Sequence, residues 1–253
     1  MDAQLLANPF ERFVLSPRVS GWIYAYANPQ PLPIPQVISE RLEIAVQIRG
    51  DWTLTSWGRA PQRFEAGSVF VIPPLTRHTY SFDARGGAGL QVGFEIEVGV
   101  GHPPFRAEAR RWRALADCVL AGRRDKALAE EIEREALGAC DEDTSPWSRA
   151  QREMRAYLDR PLYLDHLAEA LGVHGKTLSR LFLARAGVPP IRFRSELRMR
   201  RAITLLWSRP ELSVRSIAES VGFEDVRAIH RAARQTYGLT PAQLGRRPDR
   251  SAR

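Results

Sequence analysis

The sequence is poor in cysteine and lysine and has no long apolar run. Cys118 and Cys140 are its only cysteines and stand in neither a CxxC pair nor a Cys/His spacing, which excludes a disulfide framework or zinc module and favours a reducing compartment. A redox pair between them is the alternative. No apolar stretch approaches the ~18 residues of a membrane helix, and Met1–Phe10 lacks the features of a signal peptide. We therefore expect a cytoplasmic protein without a membrane segment.

Motifs of common enzyme classes are also missing. The chain shows no GxSxG, HExxH or phosphate-loop pattern. Residues 1–101 contain one histidine, His78, and a single imidazole cannot supply the three or four protein ligands of a catalytic metal. The sequence therefore predicts no catalytic residues, no metal and no cofactor.

What the chain does contain is a strongly basic second half. Residues 1–147 hold 16 Lys and Arg against 19 Asp and Glu, whereas residues 148–253 hold 21 against 10. Only Lys126 and Lys176 among the 37 basic residues are lysine. A charge of +11 confined to one half favours binding to a polyanion over a merely soluble basic surface.

A short pattern occurs twice in this basic half. LAEALGV at 167–173 reappears as IAESVGF at 217–223, each an apolar residue followed by Ala, Glu and, three positions after Glu, Gly. This is typical of the first helix and turn of a helix-turn-helix, where Gly supplies positive φ. Each copy is followed by a second helical stretch and a matching stop, at 187–190 and 238–241, where Gly is followed by Pro. The two copies predict an internal repeat.

Local signals place the helices around the repeat. Ser145-Pro146 predicts a helix start, with Ala150, Met154, Tyr157 and Leu158 as its buried stripe. The second helices of the motifs are expected at 176–186 and 225–237, joined by one long helix over about 190–207 that buries residues including Leu205 and Leu206. We expect its arginines to contact phosphates or to form a solvated face; they are Arg192, Arg194, Arg198, Arg200 and Arg201.

The first half predicts short strands after an irregular, proline-rich arm over residues 1–36. Within this arm, residues 19–26 alternate as a strand. Residues 41–82 and 89–98 alternate as further strands with turns at Gly50-Asp51 and Gly58-Arg59, which favours an antiparallel barrel or sandwich. Aromatic residues are candidate cavity lining, although core packing is the better explanation for any one of them. They are Trp22, Tyr24, Trp52, Trp57, Tyr80 and Phe94.

The run from Gly67 to His78 resembles the second sequence motif of the cupin barrels, without their His-x-His pair. The resemblance implies a cupin-like β-barrel, and the single histidine implies that it holds no metal. A small-molecule effector is the expected occupant. The candidate ligand-binding residues are Trp22, Tyr24, Arg41, Glu43, His78 and Tyr80, with Glu95 as a further polar group.

After the barrel the apolar period changes from 2 to 3.6. Stripes that include Trp112 and Leu115, then Leu128, Ile132 and Leu137, predict two helices separated by Gly122. Arginines in the first and glutamates in the second can pair within this hairpin or between two copies of it. Packing onto the barrel and dimerisation through the hairpin are both compatible with the pattern.

Residues 146–245 resemble the DNA-binding domain of the AraC/XylS family of bacterial transcription regulators, a seven-helix unit with two helix-turn-helix motifs. The stretch from Gly222-Phe223 to Thr240-Pro241 carries the family's signature. The chain departs from it at Ile229 and Ala233, where the family usually has Phe. The resemblance places DNA contacts in the two recognition helices. They are Lys176, Thr177, Ser179 and Arg180 in the first, and Arg227, Ala228, His230 and Arg231 in the second.

We therefore predict a two-domain α+β protein, with a cupin-like sensor barrel and arm over 1–104, a helical hairpin over 105–140, and an all-α double helix-turn-helix domain over 146–253. The predicted function is sequence-specific transcription regulation in response to a small-molecule effector. Double-stranded DNA, a second copy of the chain and RNA polymerase are the expected partners. The alternatives are a cupin-type enzyme with a DNA-binding tail, and a regulator whose barrel only dimerises.

Overall fold

The computed structural model describes residues 10–26, 37–38, 40–56, 60–81, 88–98, 108–137, 145–160 and 163–245. Contacts within the chain divide it into two compact units. The first comprises residues 1–31, 40–76 and 80–143, and the second comprises residues 32–39, 77–79 and 144–253. No helix in the described part of the chain is long and apolar enough to cross a membrane.

Nine described strands form two sheets. They are β1 (Phe10–Val14), β2 (Val19–Tyr26), β3 (Val37–Ile38), β4 (Leu42–Arg49), β5 (Trp52–Ser56), β6 (Gln62–Phe64), β7 (Val69–Ile72), β8 (Arg77–Ser81) and β9 (Gly89–Ile96). The first sheet has the order β1-β2-β9-β4-β7 and the second has the order β3-β8-β5-β6. The pairings with a described register are antiparallel, as the alternating sequence predicts.

The five-stranded sheet is buried on both faces. Side chains alternate along β4, so that Ile44 and Val46 join an apolar core with the helices that follow the strands, whereas Ala45 lies on the other face. On that second face, Trp22 and Ala45 pack against Trp52 of the four-stranded sheet. Within the first unit, the larger sheet thus has one core against the helices and another against β5 and β6.

The predicted strands are confirmed, with two corrections. Residues 10–14 form strand β1, where an irregular arm was expected. Phe94 does not line the space between the sheets, because it faces the helices and packs 5.6 Å from Trp112 and 6.4 Å from Phe13 between ring centroids. The turn at Gly50 is confirmed by its φ of +80°. The alternating prolines of 29–35, Trp57 and the turn at 58–59 lie outside the described residues.

The helical hairpin is formed by α1 (Ala109–Leu120) and α2 (Lys126–Leu137). Trp112 and Ile132 are fully buried in the core against the sheet. The apolar stripes of both helices therefore pack within their own unit. The Arg111 guanidinium lies 3.0 Å from the Glu135 carboxylate, which shows one of the predicted charge pairs within a single hairpin.

Seven helices occupy the described residues from 145 onward, as the resemblance implied. They are α3 (Pro146–Ala156), α4 (Leu164–Ala170), α5 (Gly175–Ala186), α6 (Pro190–Ser208), α7 (Val214–Ser220), α8 (Val226–Tyr237) and α9 (Pro241–Gly245). Local signals set their bounds. Ser145 caps α3 by accepting a hydrogen bond from the Ser148 amide, and Gly187 and Gly238 end α5 and α8 with φ near +70°.

The buried stripes are confirmed except near helix ends. Tyr157, expected inside, is 42% exposed just after α3, and Leu137 is 38% exposed at the end of α2. Leu205 and Leu206, near the end of α6, are half-buried.

Candidate functional site

The first motif consists of α4, a turn at Gly172 and α5. Leu167 and Ala168 of α4 are buried, and Gly172 has a φ of +66°, a conformation that other residues rarely adopt. Leu178 and Phe182 are buried on the core-facing side of α5. The predicted contact residues lie on the other side of this helix: Lys176, Thr177 and Arg180 are exposed, and Ser179 is half-buried.

The second motif repeats this arrangement with α7, a turn at Gly222 and α8. Asp225 caps α8 by accepting a 2.6 Å hydrogen bond from the Ala228 amide. Ile229 and Ala233 are fully buried, so the two positions that depart from the family signature do face the core. The predicted contact residues are again outside: Arg227 and Arg231 are exposed, as is Arg234, whereas Ala228 and His230 are half-buried.

These two exposed faces have the chemistry of major-groove recognition. An α-helix fits the major groove, and an arginine can donate to both acceptors on a guanine edge. Exposed Arg180 and Arg231 each stand on a helix whose opposite face is anchored in the core, so each can reach a base without displacing a packed residue.

An aromatic cluster fixes the first recognition helix to its neighbours. The rings of Trp147, Phe182 and Phe193 lie 5.1 to 5.8 Å apart between centroids, all in edge-to-face geometry. These residues belong to α3, α5 and α6 respectively, so the cluster joins the first motif to the long connecting helix.

Two arginines of α6 do not have the role that the sequence predicted. Arg198 Nε donates to the Leu158 carbonyl at 2.6 Å and Arg198 Nη2 donates to the Arg160 carbonyl at 3.2 Å. Arg194 Nη2 donates to the Tyr157 carbonyl at 3.0 Å and also contacts that of Arg160. The prediction of phosphate contacts or a solvated face is therefore wrong for both residues. Burial lowers the pKa of Arg198 to about 10 and also lowers that of Arg194.

The face of the larger sheet opposite the helices carries an aromatic centre. Trp22 is buried over Gly93, where an added Cβ would stand 2.1 Å from the indole, so glycine makes room for this ring. From the smaller sheet, Trp52 stacks on Phe64 with centroids 5.4 Å apart and lies 4.2 Å from Phe70 of the larger sheet. The predicted lining residues Trp22 and Trp52 thus belong to one cluster, with Tyr24 packed at its edge.

Polar pairs flank this aromatic centre. Glu43 and Glu95 are buried and stand opposite each other in the pairing of β4 with β9. Gln47 and Gln91 form a second facing pair, in which Gln91 Nε2 donates to Gln47 Oε1 at 3.1 Å. The glutamines were missed by the sequence reasoning, although their alternation with apolar residues on both strands is a usable signal.

Glu95 is held by a small network. Arg12 donates to one carboxylate oxygen at 3.0 Å and Ser20 donates to the other at 3.3 Å. Arg41, predicted as a ligand contact, donates to the Ser20 hydroxyl at 3.1 Å and lies 3.7 Å from Glu97. Arg41 therefore supports the Glu95 end of the sheet through Ser20 and is partly exposed.

The remaining predicted ligand residues lie on β8 of the smaller sheet. His78 is buried and pairs in register with Val37. Tyr80 is two positions further along the strand, and its side chain lies outside the described part of the structure. Within the described residues, no three His, Cys, Asp or Glu side chains are grouped as a metal site requires.

Comparisons with known proteins give a domain family for the second half of the chain and a similar fold for the whole. Residues 167–247 match the family model described as "Helix-turn-helix domain". Unsaturated fatty acid-bound ToxT from Vibrio cholerae has a similar fold, with a TM-score of 0.66 and 12% identity over 92% of this chain and 96% of that one. An apo variant of ToxT from the same organism gives a TM-score of 0.63 at 12% identity, covering 89% of this chain and 96% of that one. No functionally curated protein matches the sequence significantly.

The similarity in fold to ToxT extends over both units of this chain. The matched helix-turn-helix model spans both motifs, from α4 to the end of α9. Residues 167–247 therefore belong to the matched family of DNA-binding helix-turn-helix domains, and the chain shares its fold with ToxT.

Proposed function

We propose that this protein recognises a specific DNA site with the exposed faces of α5 and α8, and that a small effector bound in its strand-rich unit controls this recognition. The predicted base contacts are made by Lys176, Thr177, Ser179 and Arg180 in the first motif and by Arg227, Ala228, His230 and Arg231 in the second. A regulator of this kind acts where the DNA is, in the bacterial cytoplasm.

One observation carries the DNA part of the proposal. Two core-anchored helices, each with arginine on its solvent face, flank a single continuous helix, α6. A continuous helix fixes the separation of what it joins, and successive major-groove turns lie ~34 Å apart on one face of a duplex. This arrangement supports recognition of two half-sites about one helical turn apart by one chain.

The test uses the full-length protein and duplexes that it selects from a random-sequence pool. We expect an enriched sequence with two protected windows in a hydroxyl-radical footprint. Arg180→Ala should weaken one window and Arg231→Ala should weaken the other, because each arginine belongs to a different motif. Arg209→Ala, an exposed arginine beyond the end of α6 that contacts Glu211, is the matched control and should leave both windows unchanged.

Failure to enrich any sequence would contradict specific recognition. A footprint that both arginine variants leave unchanged would contradict the assignment of α5 and α8 as the reading helices. Weak, sequence-independent binding that disappears as the salt concentration rises would show that the basic unit attracts DNA only electrostatically.

The effector part rests on buried polar side chains in the larger sheet. Four of them face the same side of β4 and β9 as the aromatic centre, which plain apolar packing does not require; they are Glu43, Gln47, Gln91 and Glu95. The aromatic centre beside them suits the apolar body of a ligand, and a buried carboxylate favours a ligand that donates hydrogen bonds or carries positive charge. ToxT, which shares the fold, is known in a form bound to an unsaturated fatty acid.

A thermal-shift screen tests this with panels of small amines, polyols, aromatic compounds and fatty acids. Binding to the native state raises its melting temperature. We expect a hit from the hydrogen-bond-donating panels that Glu43→Gln abolishes and that Glu65→Gln, at an exposed turn, does not. A response to fatty acids alone, unaffected by Glu43→Gln, would contradict the role given to this carboxylate.

Dimerisation and contact with RNA polymerase are further parts of the proposal, as is the division at 1–104, 105–140 and 146–253. Because the apolar stripes of α1 and α2 pack within their own unit, a dimer through the hairpin has to use its polar outer face. Light scattering of the full-length protein with Glu130→Arg tests this, since Glu130 is exposed on α2. If the Glu130→Arg variant still forms a dimer, the interface lies elsewhere on the protein. If the wild-type protein is a monomer, the proposed dimer is wrong.

A further inference from the structure

Arg198 lies near the middle of α6 and touches parts of the chain that are distant in sequence. Its guanidinium holds the carbonyls of Leu158 and Arg160, just beyond the end of α3. The same group stands 5.8 Å from the ring centroid of Phe223, which directly follows the turn of the second motif. One side chain therefore connects the long helix, the segment after α3 and the second motif.

The turn glycine of the second motif is packed into the same place. Gly222 has a φ of +86°, and a Cβ added to it would lie 2.8 Å from Arg198 Nη2, the Leu158 carbonyl oxygen and the Asp159 Cα. The equivalent turn glycine of the first motif, Gly172, also has positive φ but nothing within 4 Å of its Cβ position. The two motifs thus share a backbone conformation and differ in what fixes their turns.

The first motif is tied to α6 by other means. Only three residues separate α5 from α6, and the aromatic cluster of Trp147, Phe182 and Phe193 joins α3, α5 and α6. The turn of the second motif meets α6 through Arg198. Arginine suits this position better than lysine because its planar fork can donate to two carbonyls while its face lies against an aromatic ring.

We propose that Arg198 is a positioning residue for DNA recognition: it holds the turn of the second motif against α6 and the segment after α3, and thereby determines where α8 stands relative to α5. It acts on DNA through α8 and makes no base contact itself. This inference rests on the proposed function, since it concerns how the two reading helices are spaced.

The first test measures that spacing without DNA. Spin labels on Leu183→Cys of α5 and Arg234→Cys of α8, both exposed positions, in a background with Cys118→Ser and Cys140→Ser, report the distance between the helices by pulsed electron resonance. We expect one narrow distance in the parent protein and a shifted or broadened distribution in Arg198→Gln, with Arg198→Lys in between. Arg192→Lys, on the exposed side of the same helix, is the matched control and should not change the distribution.

The second test uses the duplex selected by the wild-type protein. Arg198→Gln should lower the affinity for the half-site assigned to α8 at least tenfold and leave the half-site assigned to α5 protected, with partial rescue in Arg198→Lys. Equal loss of both half-sites in step with a lower melting temperature would show a general stabilising role and overturn the inference. An unchanged label distance with unchanged footprints would also overturn it. If the wild-type protein selects no sequence, the proposed function fails, and the label distance alone decides whether Arg198 sets the spacing.

Discussion

Arg77 and Glu196 form a two-point ion pair within the second compact unit. Arg77 Nε donates to Glu196 Oε2 at 2.9 Å, and Nη2 lies 3.4 Å from Oε1. Both side chains are largely withdrawn from water, with exposures of 10% and 2%. Arg192 Nε adds a third contact to the same carboxylate at 3.2 Å, from the exposed side of α6. The carboxylate of Glu196 is therefore buried together with compensating charge.

Replacing Glu196 by Gln should destabilise the second unit by about 3 kcal/mol, because breaking a buried ion pair leaves a charge without its partner carboxylate. Arg192→Ala removes only the exposed contact and should cost less than about 1 kcal/mol. Hydrogen exchange of α6 amides in the full-length protein measures both changes locally. Equal protection in the two variants would show that burial adds nothing to this pair.

The sequence predicted those features that depend on neighbouring residues. The turns at Gly172 and Gly222, the cap at Ser145 and the helix stops at Gly187 and Gly238 all have the expected geometry, because left-handed φ and a capping hydroxyl act within one turn of chain. A doubled local pattern therefore sufficed to find both motifs and their exposed faces.

Features that depend on distant residues were not predicted. Arg198 and Leu158 are 40 positions apart, so nothing near Arg198 indicates that it holds a carbonyl. The sequence could not show which face Phe94 occupies, because every residue of β9 is buried. Helices after β9 give it a second buried face, which its own sequence does not show.

Arg231→Ala should weaken binding to the selected duplex by about 1–3 kcal/mol and relax the preference at one base pair, as expected when a bidentate base contact is lost. Arg231 is exposed on α8 and its helix is anchored by Ile229, so the change should not disturb the core. Fluorescence anisotropy with single-base variants of the duplex measures both effects. A uniform loss across all variants, with a shallower salt dependence, would identify Arg231 as a phosphate contact instead.

Stability should fall at alkaline pH through Tyr237. Burial, as the main cause, raises the pKa of this phenol from 10.0 to about 12. The unfolded chain then loses its proton first, so the contribution is constant below about pH 10 and decreases between pH 10 and 12, by at most ~1.4 kcal/mol per pH unit. Tyr237→Phe lacks this titration. The difference in unfolding free energy between the two proteins should therefore vary with pH only above about pH 10, and a difference that stays constant would contradict the burial effect.

Gly172 and Gly222 have the same left-handed backbone conformation but differ in how closely other atoms pack against them. Gly172→Ala places a Cβ in open space and should cost about 1–2 kcal/mol for the left-handed backbone alone. Gly222→Ala meets the same penalty and also brings its Cβ to 2.8 Å from three atoms, two of which belong to the backbone of 158–159. We expect an additional loss of about 1–3 kcal/mol from this overpacking. Urea unfolding measures the free energy of unfolding of both variants. Equal decreases in the two would show that the segment after α3 moves aside without cost and does not hold the second motif.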